Sequence, residues 1–219
     1  MEFKDLKLNK PLVKTLIQKG YDVPTLVQEK TIPLVLAGKD VITSAQTGTG
    51  KTAAFALPIL QQLFDKQDPS KKGRKVRALV VSPTRELAVQ IEENFKIYAE
   101  NTILRTAVVF GGISIDPQIK MLADGVDILI ATPGRLLDLH KQELVNLSFV
   151  ETLVLDEADL MLDMGFIDDV KKIERLCTGE KQILLFSATM PHKVVQLANT
   201  ILKDPVKVEI TPTSSVVKT

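Results

Sequence analysis

Seven short apolar runs rich in β-branched residues recur along the chain, at 40–45, 76–82, 106–111, 127–131, 152–155, 182–187 and 206–210. Most are continuous blocks and do not alternate apolar with polar residues. A strand solvated on one face alternates; a strand covered on both faces does not, and parallel sheets are the usual place for it. Helical patterns fill the gaps, at 52–64, 85–99, 117–123, 135–140, 167–176 and 192–202. Start signals agree with several of them. Thr84-Arg85-Glu86 opens with a hydroxyl cap and an early acid, and Pro133 and Pro191 stand where a missing N–H costs nothing. Strands alternating with helices of this length predict βαβ units with right-handed crossovers. The expected fold is therefore α/β: an open, mostly parallel, twisted sheet with helices on both faces.

Two further helical pieces, 11–19 and 28–36, precede the first strand and are joined through Gly20-Tyr21-Asp22-Val23-Pro24. The chain divides on this reading into a helical segment, 1–36, packed on the core, a main domain, 37–210, and a Thr/Ser/Pro linker, 211–219. No internal repeat is present, and one low-complexity patch, Lys71-Lys72-Gly73-Arg74-Lys75, reads as a solvated loop between helix and strand, with an RNA-contacting role as the lesser alternative.

Composition narrows the setting. The 219 residues are 45% hydrophobic and 25% charged with a net charge of +1, so a nucleic-acid partner would have to be held by a local patch. One cysteine, Cys177, cannot form an internal disulfide, and two separated histidines, His140 and His192, argue against a zinc site. No apolar stretch approaches the ~20 residues that span a bilayer, and the N-terminus lacks the apolar core of a signal peptide. No membrane partner and a cytoplasmic location are expected.

Two motifs carry the chemistry. The run at 40–45 feeds Gln46-Thr47-Gly48-Thr49-Gly50, followed by Lys51-Thr52 at the start of a helix. Glycines let backbone N–H groups turn inward around a phosphate, and the helix N-terminus adds a positive dipole. Lys51 would reach the β- and γ-phosphates, and the Thr52 hydroxyl would ligate Mg²⁺. Ala45 stands where the general phosphate-loop pattern has glycine. The stretch Gly48-Thr49-Gly50-Lys51-Thr52-Ala53 also matches a dinucleotide fingerprint, but that reading needs an acid after the next strand, and 76–82 is followed by Pro83-Thr84. Roughly a hundred residues later, the apolar run ending at Leu155 delivers Asp156-Glu157-Ala158-Asp159. Asp156 would hold Mg²⁺ through its water shell, and Glu157 would polarise a water attacking the γ-phosphate.

These residues resemble the DEAD-box RNA helicases of superfamily 2, bacterial type, over nearly the whole chain. Gly20 to Gln28 is similar to the adenine-reading Q motif, with Phe3 at the upstream aromatic position; Phe3 also reads as an ordinary packing residue. Residues Ala45 to Thr52 resemble motif I, and Pro83-Thr84-Arg85-Glu86-Leu87-Ala88 motif Ia. Gly111-Gly112 resembles the glycine doublet, Thr132-Pro133-Gly134-Arg135 motif Ib, Asp156 to Asp159 motif II, and Ser187-Ala188-Thr189 motif III. The second proline usual in the Q motif is absent from Pro24-Thr25-Leu26-Val27.

The resemblance implies a RecA-like P-loop NTPase domain that uses ATP and Mg²⁺. Gln28 would hydrogen-bond the adenine edge and Tyr21 would stack on the base, while Thr47, Gly48, Thr49, Gly50, Lys51 and Thr52 would hold phosphates and metal. Ser187 and Thr189 would couple the acidic tetrad to closure of two helicase domains. Pro83, Thr84, Arg85, Gly111, Gly112, Thr132, Pro133, Gly134 and Arg135 would contact single-stranded RNA without reading its bases, with Thr132 and Arg135 ahead of Arg85 as phosphate contacts. The charges that complete catalysis would come from a second RecA-like domain that this sequence does not contain, so the chain alone is expected to bind adenine nucleotide and be nearly inactive. A DNA translocase of the same superfamily, a nucleotide-gated clamp without turnover and, remotely, an NAD-dependent oxidoreductase are the competing readings.

Overall fold

The computed structural model describes residues 1–66 and 73–210. The Lys71-Lys72 half of the basic patch and the expected linker at 211–219 lie outside those residues. Among the described residues, seven strands form one open sheet: β1 (Val41–Ser44), β2 (Ala78–Val81), β3 (Thr106–Val109), β4 (Ile128–Ala131), β5 (Thr152–Leu155), β6 (Gln182–Ser187) and β7 (Val206–Glu209). Their spatial order is β3-β4-β2-β5-β6-β1-β7, and every pairing is parallel. The sheet is thus wholly parallel where "mostly" was expected.

The continuous apolar runs have the cause anticipated for them. Ala78 and Val80 point into one buried cluster while Leu79 and Val81 point into another, so every strand but the edge strand β7 divides its residues between two cores. Helices α1 (Lys10–Gln18), α2 (Leu26–Leu36), α3 (Lys51–Asp65) and α4 (Arg85–Tyr98) cover the first face. Helices α6 (Pro133–Lys141), α7 (Ala158–Asp163), α8 (Ile167–Leu176) and α9 (His192–Ile201) cover the second, with partly buried residues of α5 (Asp116–Ala123) packed against them. An aromatic cluster anchors the first core: Phe55 of α3 meets Phe186 of β6 edge-on at 5.1 Å between centroids and Phe95 of α4 at 6.2 Å. Such pairs add about 0.5–1.5 kcal/mol each beyond the area they bury. Among the described strands, only the edge strands β3 and β7 show partly exposed or exposed residues away from their ends, and β7 carries Lys207 and Glu209.

Three local differences from the sequence reading have physical causes. Helix α2 starts at Leu26 and not at 28, because Thr25 and Gln28 form a reciprocal capping box at its N-terminus. Helix α7 was not anticipated: six residues starting inside the acidic tetrad give no periodic signal to read. A 3₁₀ turn at Phe3–Leu6 buries Phe3 in the core, in keeping with a packing role.

Candidate nucleotide and nucleic-acid site

Apart from the Gly20–Pro24 segment between α1 and α2 and the basic patch ahead of β2, every loop singled out by the sequence leaves the C-terminal end of a strand, so these loops reach one edge of the sheet, where open parallel sheets bind ligands. Strand order divides that edge. The phosphate loop after β1, the acids after β5 and Ser187 at the end of β6 share the neighbouring strands β5-β6-β1. The segments after β2, β3 and β4 share the other half, β3-β4-β2.

In the phosphate loop, Ala45 N donates to the Ser187 carbonyl at 3.1 Å and Thr49 Oγ1 donates to the Gln46 carbonyl at 2.7 Å. Thr47 and Gly48 are exposed, while Lys51 is buried at the first turn of α3 and Thr52 is half-buried beside it. Gly50 has no substitute: its φ is +91°, and a Cβ there would lie 2.4 Å from Gln28 Nε2. Gln28 reaches this loop from α2, donating from Nε2 to the Gly50 carbonyl at 3.2 Å while its Oε1 accepts from Thr25 N at 3.0 Å. Each amide end keeps one donor or acceptor position to spare. The Thr25-Leu26-Val27-Gln28 spacing is a capping-box signature that would have found Thr25. Tyr21 is 41% exposed, with its ring edge-on to Tyr98 at 6.0 Å.

Across from the loop, Lys51 Nζ and Glu157 Oε1 form a buried ion pair at 2.9 Å, joining positions 106 residues apart. Glu157 adopts left-handed backbone, φ 51° and ψ 52°, as the N-cap of α7. Such conformations in residues other than glycine cost about 1–3 kcal/mol and cluster at functional sites. Asp156 is buried with its Oδ1 lacking any hydrogen-bond partner. Burial, reinforced by the neighbouring Glu157 charge and only partly offset by Lys51, pushes its pKa up to about 7. A buried, orphaned carboxylate oxygen near a phosphate loop that carries the Thr52 hydroxyl is a hard-oxygen donor set, and it fits Mg²⁺ held jointly with phosphates and water.

The third acid does different work. Asp159 Oδ2 accepts from Thr189 N at 2.9 Å and from Thr189 Oγ1 at 2.7 Å, while Ser187 Oγ accepts from Asp159 N at 3.1 Å. Burial acts to raise the Asp159 pKa, but the bonds from Thr189 and Ser187 outweigh it and hold the carboxyl below its ordinary range. Asp159 therefore ties the acidic turn to the Ser187-Ala188-Thr189 turn, a link across strands that no local pattern signals.

On the other half of the edge, Thr84 caps α4 by accepting from Leu87 N at 3.3 Å, Pro83 is buried, and Pro133 occupies the first turn of α6 behind Thr132. Gly111, Gly112 and Gly134 are exposed, and a Cβ at any of them would meet nothing within 4 Å. Arg85 makes no ion pair with a described acid; its guanidinium lies over the Phe110 ring at 4.8 Å. Arg135 Nη2 donates to the Ile113 carbonyl at 3.0 Å, and its Nη1 is buried without a partner. The glycine doublet, Arg85 and Arg135 thus meet around residues 110–114.

Known proteins fit this geometry. The DEAD/DEAH box helicase family matches residues 25–197. The DEAD-box ATP-dependent RNA helicase RhpA of Helicobacter pylori is 46% identical over 212 residues, which is 97% of this chain and 42% of that protein. The ATP-dependent RNA helicase RhlB of Pasteurella multocida is 44% identical over 97% of this chain and 50% of its own length. Among solved structures, a DEAD box protein from the hyperthermophile Methanococcus jannaschii superposes with a TM-score of 0.89 at 39% identity, covering 96% of this chain and 56% of that one. The chain therefore spans about half the length of these relatives. With this fold, these motifs and this coverage, the chain belongs to the DEAD/DEAH box helicase family.

Proposed function

We propose that the chain is the ATP-binding, RecA-like first domain of an ATP-dependent RNA helicase, working in the cytoplasm with a second RecA-like domain of the same parent protein. The observation that carries this reading is the buried Lys51–Glu157 pair beside the unpaired Asp156 oxygen, at the mouth of the phosphate loop. Arriving phosphates compete for Lys51, so nucleotide entry exchanges an internal ion pair for a Lys51–phosphate pair and frees Glu157 to orient water. Asp156 and Thr52 hold the metal's coordination sphere, and Mg²⁺, when bound, screens the charge on the β- and γ-phosphates.

Gln28 uses its spare donor and acceptor on the adenine edge while staying attached to Gly50, which gives adenine over guanine; Tyr21 supplies a stacking face. Residues 37–210 act as the nucleotide domain, with 1–36 forming its adenine side. Pro83, Thr84, Arg85, Gly111, Gly112, Thr132, Pro133, Gly134 and Arg135 hold single-stranded RNA through its backbone. Ser187 and Thr189, through Asp159, relay the state of the acidic turn to the second domain.

Titration with fluorescent ADP and Mg²⁺ tests the reading. The native chain should bind and Lys51→Ala should not. Turnover should stay far below that of the two-domain parent, because an arginine supplied from a second domain is worth about 10³–10⁵ in rate where measured. Equal binding of GDP and ADP would sink the assignment of Gln28, and ATP turnover by this chain at the parent's rate would sink the need for a second domain.

A further inference from the structure

Residue 110 poses a problem for the fold. β3 is an edge strand, paired among the described residues only with β4. The Val109 carbonyl accepts from Thr132 N on the β4 side at 3.1 Å. Alternation along a strand then turns both backbone groups of Phe110 outward, where no strand follows. The buried side chain of Gln118, on α5, fills the place of that strand. Its Oε1 accepts from Phe110 N at 3.1 Å and its Nε2 donates to the Phe110 carbonyl at 3.1 Å, the reciprocal pair of bonds that a neighbouring strand would make. The same Nε2 donates to the Ser114 carbonyl at 3.3 Å, so one amide grips the segment on both sides of Gly111-Gly112.

Gln118 is 4% exposed, whereas Gly111, Gly112, Ile113 and Ser114 are all exposed. Two glycines in succession, Gly112 at φ +82°, have the widest conformational freedom a chain can have. Little else restrains them: Arg135 holds the Ile113 carbonyl, and Arg85 rests on the Phe110 ring.

We propose that Gln118 is a positioning residue for RNA, its amide acting as a surrogate strand on the open edge of β3 that fixes the Gly111-Gly112 backbone to receive a phosphate. The role rests on the RNA-binding reading above and adds to it a residue that touches no RNA itself. The sequence conceals it, since a glutamine in a short amphipathic helix reads as a surface residue.

The test uses the ¹⁵N-labelled 219-residue chain, titrated separately with oligouridylate and with Mg²⁺-ADP. Gln118→Met keeps the length of the side chain and removes all three bonds. Amide exchange at Phe110, whose N–H donates to the Gln118 side-chain carbonyl, should then quicken, and oligouridylate affinity should fall about tenfold, the scale of one or two lost net hydrogen bonds. Affinity for Mg²⁺-ADP should be unchanged. Gln118→Glu supplies the rescue. Its carboxylate opposes the two carbonyls at neutral pH, and protonation restores a donor, so its deficit relative to the native chain should shrink as pH falls towards 5. Native-like RNA affinity in Gln118→Met would overturn the proposal. So would an equal loss of ADP affinity, which would make Gln118 an ordinary fold residue. Gly111 and Gly112 amides that ignore RNA in the native chain would overturn the RNA reading itself, and the exchange rates separate that failure from failure of the brace.

Discussion

Gly50, Lys51 and Asp156 are each constrained by neighbours that lie far away in the chain. Gly50→Ala places a methyl 2.4 Å from Gln28 Nε2 on a backbone at φ +91°, so the loop and Gln28 must separate. Isothermal titration should show ADP affinity falling at least ~10-fold, with stability lower by roughly 1–3 kcal/mol. Asp156 predicts a pH dependence. Its pKa rises from 3.8 to about 7 on folding, so the stability it contributes is fully present below about pH 4 and lost as pH climbs through 7. In nucleotide- and metal-free melts, the stability of Asp156→Asn relative to the native chain should be lowest near pH 4 and should rise by roughly 1–3 kcal/mol between pH 5 and pH 8. An unchanged difference between the two pH values would show that Asp156 is not held protonated. Both residue types were legible in the sequence, but their coupling was not. A phosphate-loop lysine and an acid after an apolar strand are local patterns, whereas the Lys51–Glu157 contact joins residues 106 apart.

Among the elements, α2 and α7 show where local pattern stops being informative. The strands stand out because they are buried on both faces, and the long helices because their apolar faces repeat. α7 has six residues, begins inside a motif and is fixed from outside by Ser187 and Thr189. Its N-terminal turn should loosen in Thr189→Val, which removes the hydroxyl donor to Asp159 while keeping the backbone bond. Hydrogen exchange over 158–163 should quicken with little loss of global stability, about 1 kcal/mol. At the N-terminus of α2, Thr25→Ala removes half of a capping box and should cost about 1 kcal/mol by chemical denaturation. ADP affinity should drop as well, because Gln28 loses part of the scaffold that aims it at Gly50.

At the scale of the molecule, the sequence implies a parallel α/β sheet and says nothing about which strand neighbours which. Spatial order comes from how whole helices pack over the two faces, and that order is what separates the nucleotide side of the edge from the side bearing Gly111-Gly112 and Arg135. The two halves of the sheet join through one strand pairing, β2 with β5, from Ala78 opposite Thr152 to Val81 opposite Leu155. Chain order adds something further. β2, β3 and β4 run consecutively, so the half-edge assigned to RNA comes from one unbroken stretch of polypeptide, while β1, β5, β6 and β7 come from either side of it. A single recombination event that replaced residues 78–141 as a cassette would exchange the whole half-edge proposed to hold RNA and leave Lys51, Asp156, Glu157 and Ser187 untouched. Evolution could in this way change what such a domain grips without rebuilding the pocket proposed for its nucleotide.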